Sequence, residues 1–161
     1  MLKTLIAALA LTAVGVSAQA AELKRQGTPQ AIISRAVVVP ANATTVYVSG
    51  ITPAPTNPTA PAAERVYGDT KTQTISILTQ IAEILKEEGM TMNDMAMLRV
   101  LLVADPAMGG KMDFAGMNAG YSQFFGTATS PNKPARITSQ VAALVAPGFL
   151  VEIEGQAAKA P

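Results

Sequence analysis

The sequence has neither cysteine nor histidine. Without thiols the chain cannot use disulfides, so it must draw its stability from its core or from oligomerisation. The same two absences remove the usual zinc sites and every nucleophilic triad built on those side chains. Four Asp and seven Glu remain as oxygen ligands, and none falls in the D-x-D-x-D-G spacing of a calcium loop. No metal site of these kinds is therefore expected. Basic runs are missing too, beyond Lys24-Arg25. A nucleic-acid partner calls for a basic patch, so none is expected.

Long apolar runs are also lacking. Residues 5–16 are apolar, which is well short of the ~20 residues that span a bilayer. Lys3 precedes that run and Ala18-Gln19-Ala20 follows it, which is the pattern of a cleavable secretory signal. The reading is a signal peptide over residues 1–20, cut after Ala20, and a periplasmic or secreted domain over residues 21–161. No stable membrane insertion is expected after cleavage. Setting Lys3 aside, eleven basic residues balance eleven acidic ones, so the exported chain is formally neutral. With 49% of its residues hydrophobic, the chain suits one domain with a real core.

Residues 21–30 are polar and read as a loosely held leader. Residues 32–39 are rich in β-branched side chains and read as a strand ended by Pro40. With a turn at Asn42, they are expected to form a hairpin with a second strand at residues 45–49. Gly50 stops that strand; it either serves as a strand terminus or lets the backbone approach a ligand. Four prolines between Pro53 and Pro61 mark a loop. Thr70-Lys71-Thr72-Gln73 has the form of a capping box, with Thr70 as N-cap. Ile77, Ile81, Ile84 and Leu85 then make a helical apolar stripe, ended by Gly89.

Residues 94–103 are almost continuously apolar, as in a central strand covered on both faces. A second helix is expected over residues 111–125, where Phe114, Asn118, Tyr121 and Phe125 share a face. Asn118 is the polar member of that stripe. It either bonds a neighbouring loop or orients the wall of a ligand site. Two closing strands follow, at residues 134–141 and 149–155. The predicted order is β-β-α-β-α-β-β, a mixed sheet backed by two helices, of the α+β class.

Polar chemistry concentrates in the closing strands. Arg136 lies just inside the first, and its planar fork matches both oxygens of a small carboxylate. Glu152, on the second, can move a proton through a water. If the two strands pair, these groups meet either as a catalytic couple or as an ordinary ion pair on a solvated face.

Four separated stretches carry a family resemblance: Gly68-Asp69-Thr70-Lys71-Thr72-Gln73-Thr74, Asn118-Ala119-Gly120-Tyr121-Ser122-Gln123-Phe124-Phe125, Pro134-Ala135-Arg136 and Val151-Glu152-Ile153-Glu154. In that order they resemble the RidA-like reactive intermediate deaminases, also called the YjgF or UK114 family, over about residues 30–158. The resemblance implies a chorismate-mutase-like fold, a barrel-like homotrimer and clefts between subunits. It implies hydrolysis of 2-imino acids or their enamine tautomers to 2-oxo acids and ammonia, without a cofactor. Arg136 matches the family's carboxylate-binding arginine and Glu152 the water-activating glutamate. Asn118 and Gly50 match pocket positions.

The chain also departs from the family. Arg35 stands where active members usually carry a pocket tyrosine, and Thr138 stands where cysteine is common. A hydroxyl still donates a hydrogen bond, so Thr138 costs little. Arg35 either favours a more acidic ligand or fills the pocket itself. A non-catalytic binder of small carboxylates is thus the main alternative to the deaminase, and an endoribonuclease is the lesser one.

Overall fold

A computed structural model describes residues 22–161. The expected signal peptide and its cleavage after Ala20 lie outside the described residues. The elements are β1 (Lys24–Gln26), β2 (Ala36–Val38), β3 (Thr44–Ile51), α1 (Thr70–Glu87), β4 (Met95–Val103), α2 (Phe114–Tyr121), β5 (Ala135–Val141) and β6 (Val151–Lys159). The α+β class and the two helices are as the sequence predicts, with one extra short strand at the start. No helix among the described residues is long and apolar enough to cross a membrane.

The main sheet has the order β3-β6-β4-β5. It corrects the expected pairing of the closing strands. β4 inserts between β5 and β6, running parallel to β5 and antiparallel to β6. The first hairpin is corrected as well: β2 is three residues long and pairs with β1, while β3 pairs with β6. Residues 24–26 are accordingly not a loose leader. Arg25 fastens them by donating to the carbonyls of Met95 (2.9 Å), Asn93 (2.6 Å) and Lys133 (3.2 Å). Burial lowers its pKa, and Asp94 partly offsets that.

α1 forms where the apolar stripe predicts it. Ile77, Leu78, Ile81 and Leu85 are fully buried against the sheet, at about 1.5–3 kcal/mol each. The N-cap is Asp69, one residue before the expected Thr70: its carboxylate accepts from the Thr72 N–H at 2.8 Å. That hydrogen bond holds the Asp69 carboxyl below its usual pKa. A carboxylate at the positive end of a helix outcompetes a threonine hydroxyl for the cap. Gln73 does not reach back to a cap but joins distant loops. Its amide donates to the carbonyls of Gly68 (3.0 Å) and Gly148 (2.8 Å) and accepts from the Leu150 N–H (2.8 Å). The entry to β6 is thereby fixed from inside the core.

β4 departs from the expectation of two covered faces. Leu98, Val100 and Leu102 are buried under the helices, whereas Met97, Leu101 and Val103 are half-buried and Arg99 is exposed. The opposite face of the sheet is open. α2 is shorter than predicted, eight residues from an Asp113 cap that accepts from the Gly116 N–H at 2.8 Å. Phe125 continues its buried face beyond the helix end and stacks on Tyr121 at 4.7 Å.

Candidate functional site

Sheet register decides where each candidate side chain points. Arg136 lies opposite Leu98 in the parallel β4–β5 pair, and Thr138 lies opposite Val100. Both therefore share the helix-covered face. Glu152 lies opposite Leu101 in the antiparallel β4–β6 pair, which puts it on the open face. The expected meeting of Arg136 and Glu152 on neighbouring strands does not occur. They stand on opposite faces of one sheet, with β4 between their strands. Glu154, on the same face as Glu152, is the residue that makes an ion pair: it accepts from Arg99 at 2.6 Å, both side chains about half exposed. Such a pair contributes little to stability.

The helix-face half of the site is built around the Arg136 guanidinium. One of its N–H groups donates to Asn118 Oδ1 at 2.9 Å, and another lies 3.7 Å from Met117 Sδ. The group sits 4.5 Å over the Tyr121 ring and 5.8 Å from the Phe114 ring, within range of cation–π attraction. Asn118 thus holds the arginine of β5 and not a neighbouring loop. Burial lowers the Arg136 pKa, and Tyr121 partly offsets it. Among the described residues Arg136 has no carboxylate partner. Its fork keeps three N–H donors for something else. Nearby, the Thr138 hydroxyl and the Tyr121 phenol are buried with no hydrogen-bond partner among the described residues. Burial also pushes the Tyr121 phenol above its usual pKa, against the pull of Arg136 and Arg25.

The open-face half pairs Gly50 with Glu152. The β3–β6 register shifts between Val48 and Ile51, so Ser49 and Gly50 form an irregularity beside β6. The Glu152 carboxylate folds over the Gly50 backbone, occupying the place a β-carbon would take there. Glycine at 50 leaves room for this carboxylate position, and it does not stop the strand as expected, because β3 runs on through it to Ile51. Glu152 has no ion-pair partner among the described residues.

Arg35 is exposed and lies on the free edge of β5, one residue after a bridge between Ser34 and Ala135. Tyr121, Met117 and Phe114 were legible only as an apolar helix face. Their place against an arginine depended on the Arg136 side chain of β5 reaching α2, which no local pattern encodes. Among the described residues no group of three or more Asp and Glu gathers to hold a metal.

The sequence profile of the family described as Endoribonuclease L-PSP matches residues 28–159. A RutC family protein from Pyrococcus abyssi is 38% identical over 96 residues, covering 60% of this chain and 67% of that protein. Solved structures agree in fold. A Rid-family protein from Yersinia pestis superposes with a TM-score of 0.60 at 27% identity, over 78% of this chain and 86% of that one. A YjgF-family protein from Neisseria meningitidis gives a TM-score of 0.52 at 27% identity, over 86% of this chain and 95% of that one.

Proposed function

This chain belongs to the Endoribonuclease L-PSP family, whose members include RutC, Rid and YjgF proteins, and from that premise we propose that it hydrolyses small 2-imino acids to 2-oxo acids and ammonia. The observation that carries the reading is the half-buried Arg136 fork, oriented by Asn118 and Tyr121 and lacking a carboxylate partner among the described residues. A buried cation held in one orientation with donors to spare is a receptor for a carboxylate.

The chemistry then needs little. An imine carbon beside a carboxylate is already electrophilic. A water bound by Glu152 adds its oxygen to that carbon while the carboxylate takes the proton. That proton passes to the nitrogen, and the C–N bond of the tetrahedral adduct then breaks as its hydroxyl proton is relayed through Glu152 to the departing nitrogen, leaving the 2-oxo acid and ammonia. Orientation plus one proton relay suffices, without a cofactor. Thr138 Oγ is a spare donor for the adduct.

Because Arg136 and Glu152 face opposite sides of the sheet, both act on one substrate only if they come from two copies of the chain. We therefore propose a homotrimer with sites between subunits. The open face supports it: Tyr47 is 74% exposed and Ile137 47%, beside the half-buried Met97 and Leu101. Such a face is best buried against another copy. Light scattering that finds a monomer at micromolar concentration defeats both the trimer and the catalytic site.

Activity is tested by generating imino acids in situ with an amino-acid oxidase and trapping the remainder with semicarbazide. Faster loss of at least one of the alanine-, leucine- and glutamate-derived imines is expected. If none is accelerated, the deaminase reading fails and the carboxylate-binding alternative replaces it. Export is part of the same proposal, and an intact mass beginning at Ala21 is its check; a mass that includes Met1 overturns it. The family's endoribonuclease description finds no support in this chain's side chains, since it has no histidine and no basic run. Cleavage of a labelled RNA strand would reverse that judgement.

A further inference from the structure

We infer that Arg35 is a second anion receptor beside Arg136, so that the site takes 2-imino and 2-oxo acids bearing a second carboxylate on the side chain. The inference rests on the deaminase site proposed above and names its substrate class. Residues 33–35 run along the free edge of β5. Ser34 forms a parallel bridge with Ala135, and its N–H donates to the Pro134 carbonyl at 2.9 Å. Arg35 follows that bridge at a bend, one position on from Ser34, as Arg136 is one position on from Ala135.

That register is clamped from several directions. The Ser34 hydroxyl donates to the Lys133 carbonyl at 2.6 Å. The Lys133 ammonium donates to the carbonyls of Pro29 (2.8 Å) and Ala31 (2.6 Å). The Arg35 N–H turns the other way, to the Gln26 carbonyl of β1 at 2.7 Å. The segment carrying Arg35 is thus pinned between β1 and β5, while its side chain remains exposed.

Neither Arg35 nor Arg136 pairs with a carboxylate among the described residues. Two like charges at neighbouring positions repel, and among the described residues of one chain no acid relieves them. A monocarboxylate answers Arg136 alone. A dicarboxylate answers both, because its second carboxylate gives the exposed cation a partner that a monocarboxylate cannot. The outer cation is exposed and the inner one half-buried, so the 2-oxo or 2-imino end belongs on Arg136 and the side-chain carboxylate on Arg35.

Calorimetric titration with 2-oxoglutarate and 2-oxopentanoate isolates the second carboxylate, since the ligands have the same chain length. The expectation is about 10-fold tighter binding of 2-oxoglutarate. Arg35→Gln should bring the ratio to within about twofold, while Lys71→Gln, an exposed cation on α1, should leave it. The thermal midpoint of Arg35→Gln checks that it is folded. If 2-oxopentanoate binds and loses affinity on Arg136→Lys, yet 2-oxoglutarate binds no tighter, this inference is wrong and the deaminase site stands. A 2-oxoglutarate advantage that survives Arg35→Gln overturns it equally. If neither oxo acid binds, the site itself is refuted.

Discussion

The two faces of the β3-β6-β4-β5 sheet are made by alternate residues of the same strands, and they have different fates. On one face Leu98, Val100, Leu102, Val151 and Ile153 are sealed by α1 and α2. On the other, Arg99 and Glu154 pair in solvent beside an exposed Tyr47. The strand period of two that makes a dense core on one side assigns Arg136 to that side and Glu152 to the other. If Arg136 receives a carboxylate and Glu152 accepts a proton, as proposed, a single chain cannot bring both to the same small molecule. The pleat that builds the core then makes a second copy necessary for the proposed chemistry.

The largest expected effect exploits that split. Arg136→Ala should reduce imine turnover to below about 1% of the wild-type value, because the substrate's fixed charge loses its partner. Glu152→Gln should slow turnover by ~10²-fold while still binding 2-oxo acids. Unfolding and refolding the two dead variants together should restore activity to roughly a quarter of wild type, since that fraction of clefts draws Arg136 and Glu152 from intact sources. Each variant refolded alone is the control. A mixture that stays as inactive as its components shows that the two residues do not work across copies.

A middle-sized effect separates the open face from the closed one. Gly50→Ala puts a methyl group where the Glu152 carboxylate now lies. The obstacle is the end of a flexible side chain on the open face, so the carboxylate swings aside and stability falls by less than about 1 kcal/mol. Turnover should nevertheless drop about 10-fold or more, because a misplaced base no longer holds its water. Denaturant midpoints measured beside kcat make the comparison. A large loss of stability with unchanged turnover per folded molecule makes Gly50 a packing residue only.

Local patterns in the sequence translate directly into structure, and long-range ones do not. The stripe of Ile77, Ile81 and Leu85 and the stop at Gly89, whose φ is +68°, report on a few consecutive turns of one helix. The cap shifted by one residue because Asp69 and Thr70 are both capping side chains and the carboxylate is the stronger of the two at the positive helix end. Strand order was beyond reach: β5 and β6 are successive in sequence, yet β4 lies between them. β1 has three residues, too few to show a period, and its hold comes from one arginine and three remote carbonyls. The site followed the same rule. Arg136, Asn118, Glu152 and Gly50 were legible as residues, and the contacts of Asn118 with Arg136 and of Gly50 with Glu152 now join them in pairs. Which pair occupied which face awaited the register.

The smallest effect belongs to the closed face. The Tyr121 phenol is buried with no hydrogen-bond partner among the described residues, while its ring lies under Arg136 and against Phe125. Tyr121→Phe keeps the ring and both stacking contacts and removes an unsatisfied hydroxyl. At neutral pH its stability should stay within about 1 kcal/mol of wild type, on the stabilising side. The difference should grow in alkali. Burial raises the native pKa of the phenol above that of the unfolded chain, so the contribution is intact below the unfolded value near ~10. Above it the unfolded state releases a proton that the native state keeps, and wild-type stability declines by up to ~1.4 kcal/mol per pH unit. Tyr121→Phe lacks that term and should become the more stable protein as pH rises past ~10. The other tyrosines titrate identically in both proteins and cancel. Denaturation curves at pH 7 and in steps above pH 10 provide the measurement. Parallel decline of the two proteins shows that the phenol ionises freely in the native state, and the face holding Arg136 is then wetter than its packing implies.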